Sequence, residues 1–364
     1  MPVSEHALIV LTVDLDAVVS NWRFVTQKLK GAVSAAVVKA DAYGLGADRV
    51  VPVLVNAGCK TFFVATVDEG LAVRKVAPNA EILVLSGPLP GSEAEFDHHN
   101  LTPVLNSLEQ VSDWRAYGRQ TNKILDAAFH LDTGMTRLGL DSSDLLHPEL
   151  FAGLRPVLGM SHLACSNEPS NPMNSTQRER FAHLVSAVPF PRLSLAASGG
   201  IFLGEEYHFD LVRPGAALYG LNPTLGAPNP LHPTVRLQAR VLQIRDVDLA
   251  QTVGYGATHR ISAKGRIATV AAGYADGCFR TLGGHGQGVI GGVKVPAVGR
   301  ISMDLITFDI SALPEDAVHS GDLIDLIGPG HDADALAAEA GTVGYEILTQ
   351  LPRRAARRYI GGSL

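Results

Sequence analysis

The sequence predicts an α/β fold: a (β/α)8 TIM-type barrel followed by a mostly β C-terminal domain. Three observations carry that expectation. Short apolar, β-branched runs alternate with helical spacing about eight times in the first part of the chain, as parallel βαβ units require. A stretch with four prolines, Asn222 to Pro233, then interrupts the pattern, because proline continues neither a central strand nor a helix interior. Beyond it the alternation gives way to strand-like runs punctuated by glycine. The expected domains are residues 1–232, the barrel, and 233–364, the β domain, with the first ~12 residues able to pair with the latter.

The elements follow in order. Ser34–Val38 reads as a strand, Asp48–Ala57 as a helix, Thr61–Val67 as a strand and Asp68–Val76 as a helix. Strands are expected at Glu81–Leu85, Leu101–Leu105 and Ile124–Leu131, with an amphipathic helix at Leu108–Tyr117. Pro156–Leu163, Leu193–Ala196 and Phe209–Val212 complete the barrel strands, with a helix at Gln177–Val188. No GxGxxG follows an early strand, which weakens a dinucleotide-binding reading. In the β domain, Val235–Ile244, Gly265–Ala272, Gly288–Ala297, Leu305–Ile310 and Leu323–Ile327 read as strands. Helices are expected at Asp332–Ala340 and near Tyr345–Arg354.

Composition narrows the function classes. In 364 residues, 46% are hydrophobic and 18% charged, which suits a compact globule with a sizeable core. A net charge of -6, with no basic run outside Arg353–Arg358, argues against a nucleic-acid partner. That tail reads as a solvated or interface-facing helix end. Cys59, Cys165 and Cys278 show neither CxxC nor zinc spacing, so a reducing cytoplasm and no metal are expected. The apolar run Ala7–Val13 is too short to span a membrane and reads as a strand.

Barrel chemistry gathers at the carboxyl ends of the strands. Lys39 sits there, after Ala36-Val37-Val38 and before Ala40-Asp41-Ala42-Tyr43-Gly44. A desolvated lysine loses proton affinity and becomes a nucleophile able to form a Schiff base. Later strands end on Asp132–Gly139 (DTGMTRLG), Ser161-His162, Ser198-Gly199-Gly200 and Arg213-Pro214-Gly215-Ala216. The β domain adds Val253–Gly256 (VGYG), Gly273–Gly277 (GYADG) and Gly299–Asp304 (GRISMD).

In order and spacing these segments resemble the alanine racemases, over nearly the whole chain. The resemblance implies pyridoxal 5′-phosphate carried on Lys39, and interconversion of L- and D-alanine by two bases on opposite faces of Cα. Lys39 would be one base and Tyr255, contributed by the partner subunit of a homodimer, the other. His162 would link Tyr255 to Arg213. Arg213 would face the pyridine nitrogen and, as a guanidinium that keeps its protons, leave that nitrogen unprotonated. Tyr43, Ser198, Gly215 and Ala216 would cradle the phosphate. Arg137 and the Met303 amide would meet the substrate carboxylate, and Tyr274 would narrow the entrance in favour of alanine. The implied role is supplying D-alanine as a peptidoglycan precursor, or consuming it. Related readings are a broad-specificity or serine racemase, a basic amino acid decarboxylase, and a non-catalytic cofactor-binding protein; Arg213 and the VGYG segment weigh against the decarboxylase, and the β domain carrying Tyr255 weighs against the non-catalytic protein.

The chain departs from the family at three matched positions and lacks a fourth feature. His130 stands where many members have a lysine, often carbamylated, seven residues before the Arg137 position. Ala197-Ser198 replaces Asn-Ser, and Ser302 replaces a common cysteine. A tyrosine that some relatives place near the phosphate has no match, Arg353 falling at that spacing.

Overall fold

The structure, a computed structural model, describes residues 6–147, 149–186, 188 and 190–362. The chain forms two compact units: Ala17–His232, and the segment up to Asp16 joined with the chain from Pro233 onward.

After β1 (Ile9–Asp14), which belongs to the second unit, come β2 (Val33–Ser34), β3 (Ala36–Val37), β4 (Thr61–Val64), β5 (Glu81–Val84) and β6 (Thr102–Leu105). β7 (Leu125–His130), β8 (Leu154–Met160), β9 (Leu193–Ser194) and β10 (Leu211–Val212) follow. β3 to β9 pair in sequence order, all parallel, and β10 pairs in parallel with β2. Two further contacts close the ring. The Arg213 amide donates to Ala196 O at 2.9 Å, and Val37 donates to Pro214 O at 2.9 Å. β2 and β3 are one strand interrupted at Ala35, so eight strands form a barrel with no free edge.

Strands covered on both faces need near-continuous apolar runs. β4 meets that demand: Thr61, Phe62, Phe63 and Val64 are all buried. Each buried phenylalanine contributes about 1.5–3 kcal/mol. Gly159 makes room for Phe190, whose ring would lie 2.6 Å from any Cβ there. The outer helices include Leu15–Gln27, Ala47–Asn56, Val67–Val76, Glu93–His98, Leu108–Thr121 and Met173–Ser186. Thr66 and Ser107 cap two of them by accepting the Glu69 and Gln110 amides. The first and fourth are absent from the sequence-based expectation. The end of the helix expected to run to Val188 crosses Ala187, outside the described residues.

The second unit is built on β11 (Val235–Val247), followed by β12 (Thr252–Val253), β13 (His259–Arg260), β14 (Gly265–Val270) and β15 (Gln287–Ile290). β16 (Val293–Pro296), β17 (Ile306–Asp309), β18 (Leu323–Ile327) and β19 (Ala356–Ile360) complete it. The main sheet has the order β16-β15-β18-β11-β1-β19, with β14 and β17 branching from β11. β1 runs antiparallel to β11 and parallel to β19. Three expectations change here. Gly288–Ala297 is a hairpin, because Gly291 (φ 56°) and Gly292 (φ 84°) form the two-residue turn between Ile290 and Val293. The helix expected to reach Arg354 is Gly344–Thr349. The basic tail enters the sheet, with Arg357 and Arg358 inside β19. Among the described residues no helix is long and apolar enough to cross a membrane.

Candidate active site

Lys39 leaves the carboxyl end of the β3 strand, and the four residues after it are left-handed. Ala40, Asp41, Ala42 and Tyr43 have φ between 51° and 55°. Such a conformation costs about 1–2 kcal/mol for each L-residue, so the turn persists only where its surroundings over-determine it. They do. Glu69 accepts the Ala40 amide on one carboxylate oxygen and the Ala65 amide on the other, both at 2.7 Å. Asp41 accepts the Ala47 amide at 2.7 Å. The turn drives Tyr43 inward, where its ring packs 4.7 Å from Tyr219. Burial lowers the Lys39 proton affinity first, Arg137 lowers it further against an opposing pull from Glu69, and Arg213 adds to the lowering.

Arg213 is 3% exposed, and no described carboxylate pairs with it. Neutral oxygens hold it instead: Ser161 O at 2.6 Å, Leu195 O at 3.4 Å and the Ser194 hydroxyl, itself donating to Leu211 O. Burial pulls the guanidinium down to about 9, which leaves it charged at neutral pH. Its Nη2 also lies 3.4 Å from His162 Nδ1. An arginine only donates, so His162 accepts there and carries its proton on Nε2. Burial, then Arg213, Arg137, His130 and Lys39, hold His162 down at about 3.

The loops around this charge are pinned by buried polar groups. Gln177 donates to His162 O (2.9 Å) and Thr133 Oγ1 (3.1 Å) and accepts the Ala164 amide (2.8 Å). Thr133 meets the Ser161 hydroxyl at 2.8 Å. Asp132 accepts the amides of Gly134, Met135 and Thr136, shaping the exposed loop that carries Arg137. Those bonds hold its carboxyl below the usual range against the opposing effect of burial. His130 pairs with Asn106 (Nδ1–Oδ1, 2.9 Å), and Asn106 Nδ2 donates to Leu85 O and Val104 O. The amide orientation therefore makes His130 Nδ1 the donor. Burial, then Arg213, lowers His130 to about 4.

Ser198 Oγ accepts the amides of Gly215 (3.0 Å) and Ala217 (3.1 Å) and keeps its O–H as a donor. A Cβ at Gly215 would fall 2.6 Å from Tyr43 Oη, and one at Gly199 would fall 2.7 Å from Ser166 Oγ. Lys39, Tyr43, Arg137, His162, Ser198, Arg213, Gly215 and Ala216 all belong to the barrel unit.

Tyr255, Tyr274 and Met303 belong to the β unit, on neighbouring loops. Tyr255 tips the β12–β13 hairpin, anchored where Val253 packs on Val247, Ile261, Ile267 and Val298. Gly254 (φ 75°) and Gly256 (φ 70°) make the tip, and a Cβ on Gly256 would meet Arg300 Nη1 at 3.1 Å. The chain from Arg300 leads to Met303, whose carbonyl accepts the Ala275 amide beside Tyr274 at 3.0 Å. All three side chains are exposed, Tyr255 by 72%. Sequence reasoning gave no role to Glu69, Asn106, Asp132, Gln177 or Ser194, although Asp132 opens one of the strand-end segments it picked out. Only Asp132, two residues before a glycine, carried a turn signal.

The comparisons agree across both units. Residues 13–223 match the family described as alanine racemase, N-terminal domain, and residues 234–359 match alanine racemase, C-terminal domain. The alanine racemase of Rhodospirillum rubrum is 50% identical over 98% of this chain and 97% of its own. A catabolic alanine racemase of Agrobacterium fabrum is 46% identical over 96% of this chain and 92% of its own. The crystal structure of alanine racemase from Bartonella henselae with covalently bound pyridoxal phosphate superposes with a TM-score of 0.94 at 39% identity, covering 97% of this chain and 100% of that one. The chain belongs to the alanine racemase family.

Proposed function

We propose that this protein is a pyridoxal-phosphate-dependent alanine racemase that works in the cytoplasm as a homodimer with shared active sites. The observation that carries it is a lysine of lowered proton affinity sharing one barrel site with a buried arginine that has no acid partner among the described residues. The residues fit the cofactor. Lys39 offers an amine, Ser198 and Tyr43 offer hydroxyl donors, and the glycine backbone at Gly199 and Gly215 leaves no room for side chains. When bound, pyridoxal phosphate supplies the electron sink that makes the α-hydrogen of alanine removable.

The chain's own residues do the rest. Lys39, partly stripped of its proton affinity by burial and Arg137, moves a proton at one face of Cα. Tyr255 of a second copy moves one at the other face, and its exposure on the β unit suits delivery into another subunit's cavity. His162 stays neutral and turns its Nε2 proton toward that phenol, because Arg213 occupies Nδ1. Arg213 offers donors and no proton acceptor to the ring nitrogen it would face. Arg137, on its Asp132-pinned loop, and the Met303 amide bind the substrate carboxylate. Ser198, Tyr43, Gly215 and Ala216 hold the phosphate, and Tyr274 limits side-chain size.

Purified, cofactor-loaded protein is expected to form D-alanine from L-alanine and the reverse; no interconversion overturns the reading. Lys39→Ala and Tyr255→Phe should each be inactive. Mixing them should restore about a quarter of the wild-type rate through heterodimers with one intact site. No recovery would remove Tyr255 from the shared-site role.

A further inference from the structure

The β unit holds an arginine that this chemistry does not use. Arg354 forks onto Asp276, with Nη2 on Oδ2 at 2.8 Å and Nε on Oδ1, and its Nη2 also reaches Asp304 Oδ1 at 2.7 Å. The two carboxylates lie 78 and 50 residues earlier in the chain. They stand in separate loops: Asp276 closes the Tyr274 turn, and Asp304 directly follows Met303. Asp276 is 1% exposed and also accepts the Gly273 amide at 2.9 Å. Tyr274 donates to Ser302 O, and Ala275 to Met303 O, both at 3.0 Å. The backbones are so close that a Cβ at Gly273 would fall 2.3 Å from Met303 O. Tyr274 and Met303 therefore ride on one block, and Arg354 is the only side chain described as bonding to carboxylates of both loops.

We propose that Arg354 is a positioning residue for substrate selection: it fixes the spacing of Tyr274 and Met303, and that spacing limits the substrate side chain. The inference rests on the racemase reading above. A planar guanidinium held at three carboxylate oxygens constrains both loops in orientation as well as distance, which a lysine ammonium cannot do. Gly277, at φ 79°, leaves the end of the Tyr274 turn permissive without it. A pocket distinguishes side chains differing by one heavy atom by only about 10–200-fold, so small loosening erodes selectivity.

Arg354→Lys in the cofactor-loaded enzyme tests this, with kcat and KM for L-alanine and L-serine and amide exchange across residues 273–277 and 299–305. The preference for alanine over serine should fall about fivefold or more, mainly through a raised alanine KM. Exchange should quicken in both loops while cofactor absorbance is unchanged. Asp304→Ala, at an exposed position, should shift the preference the same way by a smaller factor, and it guards against a variant that merely misfolds. An unchanged preference, an equal loss on both amino acids, or unaltered exchange in either loop overturns the proposal. Failure of the wild type to racemise either amino acid would instead overturn the racemase reading, and the exchange measurement would still decide whether Arg354 ties the loops.

Discussion

Arg213 and Arg354 carry the same group into opposite surroundings. In the barrel unit, Arg213 is almost fully buried and rests on one hydroxyl and two carbonyls. In the β unit, Arg354 is half-exposed and holds two carboxylates. A buried cation without an anion is expensive, and its charge stays available to a ligand. A cation already neutralised by two aspartates has little left to offer a ligand and serves geometry instead. The barrel's two site histidines extend the lesson: burial first, and the neighbouring Arg213 guanidinium second, hold His130 and His162 neutral.

The largest expected effect comes from removing the uncompensated charge. Arg213→Gln keeps a donor but loses the cation, and alanine turnover should fall about 100-fold or more, the scale of losing one preorganised electrostatic contact. The melting temperature of the same variant should move little, because the lost hydrogen bonds are offset by relief of a desolvated charge. A large drop in melting temperature with near-normal turnover would reverse the assignment of roles between the two arginines.

The second expectation concerns His130. Its folded-state value, about 4, lies below the ordinary 6.5, so the unfolded chain takes up a proton first as pH falls. Stability should therefore decline from pH 6.5 toward 4, with His130 accounting for at most on the order of 3 kcal/mol, and should be indifferent to this group above pH 7. In His130→Asn, unfolding measured across that window should show a shallower acid-side decline than the wild type. Identical slopes would mean that the Asn106–His130 pair accepts a proton in place.

The same contrast explains what was legible in the sequence. Lys39, Arg137, His162, Ser198 and Arg213 were legible as candidates because each closely follows an apolar strand, and strand ends are where a barrel does chemistry. The left-handed turn could not. Ala40-Asp41-Ala42-Tyr43 has no glycine, and its conformation is imposed by Glu69 and Asp41 through contacts that local propensity does not encode. β19 was hidden for a related reason: its parallel partner, β1, lies at the other end of the chain. The Gly291-Gly292 turn was readable, since two glycines between β-branched runs is a hairpin signal, yet the runs on either side read as one strand. Arg354 stood in a basic run that looked solvated, because neither aspartate is near it in sequence.

The smallest expected effect separates the two arms of Arg354 from each other. Asp276 is buried and also holds the Gly273 amide, whereas Asp304 is exposed and makes a surface pair that water and salt screen. Asp304→Asn should leave the melting temperature unchanged within error, at low and at high salt alike. Asp276→Asn should lower it clearly at both, since a bond inside the protein is little affected by mobile ions. Equal drops that vanish together in salt would make the clamp a surface feature, and the contrast between the two arginines would then lie in burial alone rather than in what their charges are used for.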